Sequence, residues 1–191
     1  MLKRQSGLLS EEAYLQQEAA SPIRQEYVDG AVYAMTGGTL RHNLITLNFA
    51  SLLRGHLRGT PCRVFMSDAK LRVAKQNAYY YPDVMVSCAV TLQTLTGAEV
   101  VIDTPVLLVE VTSPSSEGID RREKLVAYRT LPSLKEYVLI AQDRPEIEIH
   151  TRLSDTSWEI THLAPGDPVV FGSIDLSTDF ATLYEESGVD L

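Results

Sequence analysis

The sequence of 191 residues has few cysteines and one tryptophan, and it lacks long hydrophobic runs. Cys62 and Cys88 form neither a metal-ligand spacing nor a disulfide framework, so we expect both to be small buried hydrophobic residues. No stretch approaches the roughly 20 apolar residues that a membrane helix needs, and the first residues lack the apolar segment of a secretory signal. These absences predict a cytoplasmic protein with no membrane partner, folded as a single domain over residues 1–191.

Basic residues are absent from the C-terminal part of the chain. From Leu153 onward there are eight acidic residues and no Lys or Arg, so this segment accounts for the whole net charge of −8. Positions 41–75 instead hold seven basic residues and one acidic residue, Asp68. Such a basic patch would favour binding of a phosphate backbone. An ordinary solvated surface, on which the charges of both signs average out, explains the count equally well. We expect the acidic segment to face away from any nucleic acid.

Periodicity and turn residues predict an α/β (α+β) fold in which helices flank a mixed central β-sheet. The Asp29-Gly30 pair predicts a tight hairpin turn within 26–33. The predicted helices cover 10–21, 41–57, 118–130 and 181–185, and the other predicted strands cover 63–67, 71–74, 83–87, 106–112, 136–141, 147–151 and 158–162.

Glu110 is the most informative residue, because it interrupts the apolar run from Val106 to Val111. An almost unbroken apolar run is typical of a central strand covered on both faces. A carboxylate in such a strand costs several kcal/mol unless it is paired, protonated or bound to a metal. The position indicates either a structural salt bridge or a catalytic or metal-binding role.

Asp83 is a candidate partner for Glu110, because it follows Pro82 and opens the apolar strand Val84–Val86. Two carboxylates on neighbouring strands suit hard cations such as Mg²⁺, which prefer oxygen ligands and keep several waters. Alternation along the strand places Thr112 on the same face as Glu110. The sequence therefore predicts a carboxylate pair with a candidate magnesium site.

Asp120, Lys124 and Tyr128 are spaced four residues apart in the helix that follows the Glu110 strand, so they share one face. A helix returning from the end of that strand could direct Lys124 toward the carboxylates. An exposed ion pair between Asp120 and Lys124, worth a few tenths of a kcal/mol, explains the spacing as well.

The order of these motifs resembles a known family over most of the chain, from about Leu9 to Tyr184. That family is a widespread bacterial group of restriction-type endonucleases within the PD-(D/E)XK nuclease superfamily. The motifs that carry the resemblance are Glu26-Tyr27-Val28-Asp29-Gly30, His42, Tyr81-Pro82-Asp83-Val84, Glu110-Val111-Thr112-Ser113-Pro114-Ser115, Asp120 with Lys124 and Tyr128, and Leu131-Pro132-Ser133-Leu134-Lys135-Glu136-Tyr137.

The resemblance implies a restriction-endonuclease-like fold and a metal-dependent endonuclease that hydrolyses DNA phosphodiester bonds. Asp83 and Glu110 match the two carboxylates, which with the backbone of Val111 would hold Mg²⁺, or Mn²⁺ in its place. Thr112 occupies the position of the superfamily lysine, and the resemblance implies that Lys124 replaces that lysine from the following helix.

Four further residues receive roles from the resemblance. Glu26 matches an acidic residue near such sites and would act as an outer ligand, and His42 matches a recurring position. Asp120 could hold Lys124 in place, and Tyr128 would support the site by packing.

Two other functions compete with the nuclease. The first is a catalytically silent nucleic-acid-binding or protein-interaction domain of the same fold, favoured by Thr112 at the lysine position and by the negative net charge. The second is a glycosidase, which needs paired carboxylates across a sugar cleft lined with aromatic residues, and the lone Trp158 gives it little support. For a nuclease, a two-fold homodimer would match the two strands of a DNA duplex.

Overall fold

The computed structural model describes residues 8–35, 37–90, 101–114, 118 and 120–191, with Asp120 described by its backbone only. Its helices are α1 (Glu11–Ala19), α2 (Leu40–His56), α3 (Leu125–Arg129) and α4 (Phe180–Leu183), and a π-helical turn (Asp120–Lys124) runs directly into α3. No helix in these ranges is both long enough and apolar enough to span a membrane.

A six-stranded mixed sheet forms the centre of the fold, with strand order β11-β10-β9-β8-β6-β3. The neighbours β8 and β9 are parallel and the other pairs are antiparallel. Parallel neighbours need a crossover connection, and the π-helical turn and α3 provide it. The strands are β3 (Arg63–Met66), β6 (Val84–Ser87), β8 (Pro105–Thr112), β9 (Glu136–Ala141), β10 (Ile147–Arg152) and β11 (Trp158–Leu163).

A five-stranded sheet with strand order β2-β1-β5-β4-β7 packs near the first, and β12 and β13 form a separate hairpin. At the β1–β2 turn, Asp29 and Gly30 have φ values of 44° and 91°, which confirms the predicted tight turn. These strands are β1 (Gln25–Val28), β2 (Ala31–Ala34), β4 (Lys70–Val73), β5 (Ala78–Tyr80), β7 (Val101–Ile102), β12 (Val169–Phe171) and β13 (Leu176–Thr178).

The two faces of the six-stranded sheet bury different cores. One face packs Val109 and Val111 of β8 against Ile45, Phe49 and Leu53 of α2. The other face packs β8 through Leu108 against α3 and the five-stranded sheet. Because side chains alternate along a strand, Glu110 and Thr112 project toward α3, on the same face as predicted. This arrangement directs Glu110 at the crossover helix.

The sequence prediction differs from the structure in detail. The third predicted helix, 118–130, is a π-helical turn followed by a short α-helix, and the short strands β5, β7, β12 and β13 were not predicted. Part of that helix, with Ser115 of the preceding loop, lies outside the described residues.

Cys62 and Cys88 form a disulfide, so the prediction that both are simple buried hydrophobic residues was wrong. Both side chains are half-buried. The antiparallel register of β3 and β6 pairs Arg63 with Ser87, so the residue before β3 lies opposite the residue after β6. The pairing depends on strand register, which the spacing of the two cysteines does not reveal.

Candidate active site

Asp83 lies at the start of β6, where the antiparallel neighbour β8 ends. The Oδ2 atom of Asp83 accepts a hydrogen bond from the backbone N–H of Val111 at 2.8 Å. The same oxygen lies 3.2 Å from Nε2 of His42. Proline fits the position before Asp83, since the missing N–H costs little at the beginning of a strand. The backbone of one strand therefore fixes the carboxylate that begins its neighbour.

His42 reaches Asp83 from the first turn of α2. Thr39 caps this helix, because its side chain accepts a hydrogen bond from the N–H of His42 at 3.1 Å. A Cβ atom on Gly38 would approach Nδ1 of the imidazole to 2.9 Å. Glycine therefore lets the loop before α2 pass close to the ring.

Glu110 is 4% exposed and accepts two hydrogen bonds at one oxygen. Its Oε1 atom lies 3.1 Å from Nζ of Lys124 and 2.9 Å from the hydroxyl of Tyr128. Burial, followed by the negative charge of Glu110, raises the pKa of Tyr128 well above its ordinary value. The tyrosine therefore stays protonated and donates to the carboxylate.

Lys124 is the last residue of the π-helical turn and is buried. Its Nζ atom lies 3.1 Å from Glu110 and 3.4 Å from Oε1 of Glu26, a buried residue of β1. One ammonium therefore bridges carboxylates from both sheets. Turns of π-helix occur often at functional sites. The side chain of Asp120, four residues earlier, lies outside the described part.

A pocket of about 420 Å³ opens onto both carboxylates. Asp83, Glu110, Val111, Lys124 and His42 all line it, whereas Glu26 and Tyr128 contact the site from behind. The remaining lining residues are Ile23, Arg24, Met35, Gly37, Gly38, Thr39, Asn43, Ser67, Asp68 and Tyr81.

Thr112 does not join this pocket. Its side chain is 2% exposed, and its hydroxyl lies 3.5 Å from the backbone oxygen of Ile140 in the neighbouring strand. The ammonium next to Glu110 instead comes from the crossover helix. The position that the resemblance assigns to the superfamily lysine is therefore buried within the sheet.

The donor set suits a hard divalent cation. Asp83 and Glu110 present carboxylate oxygens to one pocket, and Mg²⁺ is commonly bound through one or two carboxylates while it keeps several waters. Within the described residues, no group of three or more His, Cys, Asp or Glu side chains could hold a metal ion. A cation here would depend on two carboxylates, a backbone oxygen and water.

Sequence reasoning missed Arg24, which lines the pocket from the loop before β1. That loop has no periodic pattern, and a single arginine after a proline carries no signal of a site. Tyr81 was noted only as part of the run before Pro82, although this residue also lines the pocket.

The mixed sheets, the crossover helix and the carboxylate pair define a protein with the restriction-endonuclease-like fold. A family model described as "Uma2: Putative restriction endonuclease" matches residues 11–180. The chain therefore belongs to the Uma2 family, which confirms the resemblance seen in the sequence.

Known proteins that are similar to this chain include the following three. Two are proteins of Synechocystis sp., "Uncharacterized protein slr1290" and "Uncharacterized protein sll1609". The first is 35% identical over 92% of this chain and 91% of its own length, and the second is 32% identical over 85% and 92%. The third is a crystal structure described as "a putative nuclease belonging to DUF820" from Anabaena variabilis. It has a TM-score of 0.74 and 15% identity and covers 92% of this chain and 97% of its own, which supports the fold.

Proposed function

We propose that this protein is a metal-dependent endonuclease that hydrolyses phosphodiester bonds in DNA at the pocket of Asp83 and Glu110. One observation carries the proposal: two carboxylates from neighbouring strands share a pocket with a buried lysine whose Nζ lies 3.1 Å from Glu110. Membership of a family whose model is described as "Putative restriction endonuclease" supports the same activity.

Asp83 and Glu110, with a backbone oxygen of Val111, would hold Mg²⁺ or Mn²⁺. When bound, such an ion polarises a phosphate and lowers the pKa of a water. The contacts of the Asp83 carboxylate with Val111 and His42 both fall on Oδ2, so its Oδ1 faces no competing protein donor among the described residues. His42 and the Val111 N–H would keep this carboxylate in place.

Lys124 would orient the attacking water or stabilise the charge that develops on the phosphate, as a fixed cation can. Glu26 and Glu110 hold its ammonium from two sides. Tyr128 donates to Glu110 and keeps that carboxylate turned toward Lys124. The chain's own residues thus supply ligands, a positioned cation and the contacts that orient both.

Cleavage of supercoiled plasmid in Mg²⁺ or Mn²⁺ tests the proposal. We expect Asp83→Ala, Glu110→Ala and Lys124→Met to remove cleavage, and a chelator to abolish it in the wild type. Lys135→Met is the control, since Lys135 is an exposed lysine outside the pocket. Wild-type protein that is folded and loaded with metal but leaves the plasmid intact would contradict the proposal.

A silent nucleic-acid-binding domain is the second candidate. Lys124 and Tyr128 both donate hydrogen bonds to the same oxygen of Glu110. The same contacts would stabilise a buried carboxylate that has only a structural role. Binding of duplex DNA that is insensitive to metal, without cleavage, would favour this candidate. The homodimer and the cytoplasmic location stay predictions.

A further inference from the structure

Arg24 is a cation of the pocket that the proposed chemistry does not use. It lines the same pocket as Asp83 and Glu110, and its side chain is 45% exposed. Its guanidinium carbon lies 5.8 Å from the ring centre of Tyr81, a distance suitable for a cation–π contact. Tyr81 precedes Pro82 and Asp83 directly, so the arginine lies beside the segment that carries the first carboxylate.

A buried carboxylate anchors Arg24 from behind. Glu18 of α1 is 1% exposed, and its Oε1 atom lies 3.3 Å from Nη1 of Arg24. The hydroxyl of Tyr81 donates to the same oxygen at 2.6 Å. Burial opposes ionisation of Glu18, but hydrogen bonds from Tyr81 and Lys70 lower its pKa below the ordinary value. The carboxylate is therefore an anionic anchor that limits the motion of the guanidinium.

Two cations contact this buried anchor, and the other carboxylate near Arg24 is exposed. Nζ of Lys70 lies 2.9 Å from Oε2 of Glu18, so two cations share one buried carboxylate. Asp68 approaches Nε of Arg24 at 3.5 Å, but its side chain is 83% exposed and its effect is screened by water. Nη2 of Arg24 has no partner among the described residues, so the guanidinium keeps an unused donor at the pocket that it lines.

We propose that Arg24 binds a backbone phosphate of the nucleic acid next to the one that is cut. An arginine presents several donors in a rigid fork that matches phosphate oxygens. Glu18 and Tyr81 hold that fork before substrate arrives, which reduces the entropy lost on binding. This inference rests on the proposed nuclease function and assigns Arg24 as a substrate-binding residue.

Binding of a short DNA duplex, measured by fluorescence anisotropy in chelator over a range of salt concentrations, tests the inference. We expect Arg24→Ala to weaken binding at low salt on the order of tenfold, as the loss of one hydrogen bond to a charged group does. The slope of log affinity against log salt should fall by about 0.9, the value for one phosphate contact. Arg24→Lys should restore most of the slope.

Arg72→Ala is the matched control. Arg72 is 43% exposed and pairs with Glu11 of α1 at 2.9 Å, but it does not line the pocket. In Mg²⁺, Arg24→Ala should raise KM for cleavage by a factor similar to its loss of affinity while kcat changes little, because a remote phosphate contact binds substrate and transition state alike.

The outcomes separate the two proposals. Wild-type cleavage combined with an unchanged salt slope and KM in Arg24→Ala overturns the role of Arg24 and leaves the nuclease standing. Equal losses in Arg24→Ala and Arg72→Ala also overturn it, since they indicate a general effect of surface charge. A wild-type protein that neither binds nor cleaves DNA overturns both.

Discussion

Glu110 and Glu136 are carboxylates of adjacent strands in the same sheet, and they are equally buried, at 4% and 2% exposure. Glu136 accepts hydrogen bonds from the backbone N–H groups of Gly172 and Ser173 at 3.0 Å and from the Ser173 hydroxyl. Glu110 is held by side chains, Lys124 and Tyr128, and it also lines the pocket.

The difference between the two residues shows what burial alone can indicate. Each carboxylate has donors that offset its desolvation. For Glu136 these donors are two backbone N–H groups and one serine hydroxyl, which hold the turn that follows β12. For Glu110 they are ionisable side chains beside open space, where a ligand can enter. Burial therefore marks a residue that needs partners, and the pocket distinguishes a candidate site from a structural contact.

The largest expected difference between substitutions of Glu110 and of Glu136 is in the rate of plasmid cleavage. We expect Glu110→Gln to lower the rate of plasmid cleavage on the order of 10³-fold, because several kcal/mol of metal-dependent stabilisation depend on this carboxylate. Glu136→Gln should retain cleavage within about threefold per folded molecule, which active-site titration or circular dichroism can normalise. Similar losses in both variants would break the comparison.

The free energy of unfolding should show the opposite order, with the larger loss in the Glu136 variant. Glu136→Gln places an amide among three donors, and we expect it to lower the free energy of unfolding by about 1.5–3 kcal/mol, the range for hydrogen bonds to a charged group. Urea unfolding followed by circular dichroism measures this change. In Glu110→Gln the loss should be smaller, because Lys124 keeps Glu26 as a partner. A larger loss in Glu110→Gln would assign Glu110 a mainly structural role.

Glu148 extends the comparison to a third buried carboxylate, which contacts Arg121 and the buried His150. Burial, then the positive charges of Arg129, Arg121 and His162, lowers the pKa of His150 to about 4. The folded protein thus holds neutral imidazole, while the unfolded chain takes up a proton below its ordinary pKa of about 6.5. Stability from this group is present at neutral pH and is lost as pH falls from about 6.5 to 4.

We expect this loss to reach about 2 kcal/mol between pH 7 and pH 5, by linkage with the shifted pKa. Urea unfolding at the two pH values measures it, and His150→Asn should flatten the difference relative to the wild type. His56→Gln is the control, since His56 is an exposed histidine of α2 and is not among the groups that lower the pKa of His150. An undiminished pH dependence in His150→Asn would show that other groups cause it.

Tyr128→Phe should give the smallest effect. It removes one hydrogen bond to Glu110, at 2.9 Å, and keeps the ring and the Lys124 contact. One such bond to a charged group contributes about 1.5 kcal/mol at the lower end of its range, so cleavage should fall by about tenfold under saturating metal. Plasmid cleavage over a range of Mg²⁺ concentrations measures it, and a loss as large as that of Glu110→Gln would place Tyr128 in the chemistry itself.

The sequence predicted the two carboxylates from local rules and assigned Lys124 to the site from the family resemblance. Glu110 interrupts an apolar strand, Asp83 opens another, and four-residue spacing places Lys124 and Tyr128 on one helix face. In the structure Lys124 and Tyr128 contact the Glu110 carboxylate, and Asp83 lines the same pocket. The fold class was predicted from the same periodicities.

Other features depend on register and loop path, which a single sequence does not encode locally. Arg24 reaches the pocket from an aperiodic loop, and the disulfide depends on the pairing of β3 with β6. Glu136 opens an apolar strand and Glu148 lies between Ile147 and Ile149, yet neither carried a distinct signal. Only the contacts of each carboxylate show which one faces open space.

The pairing of β6 with β8 has a consequence for recognising distant relatives. Val84 lies opposite Val109, and the N–H of Val111 binds Asp83, so cross-strand geometry sets the separation of Asp83 and Glu110. The number of residues inserted between them along the chain is then free to vary. A homology search that demands a constant interval between the two motifs would discard true relatives, whereas one that scores each strand separately would keep them.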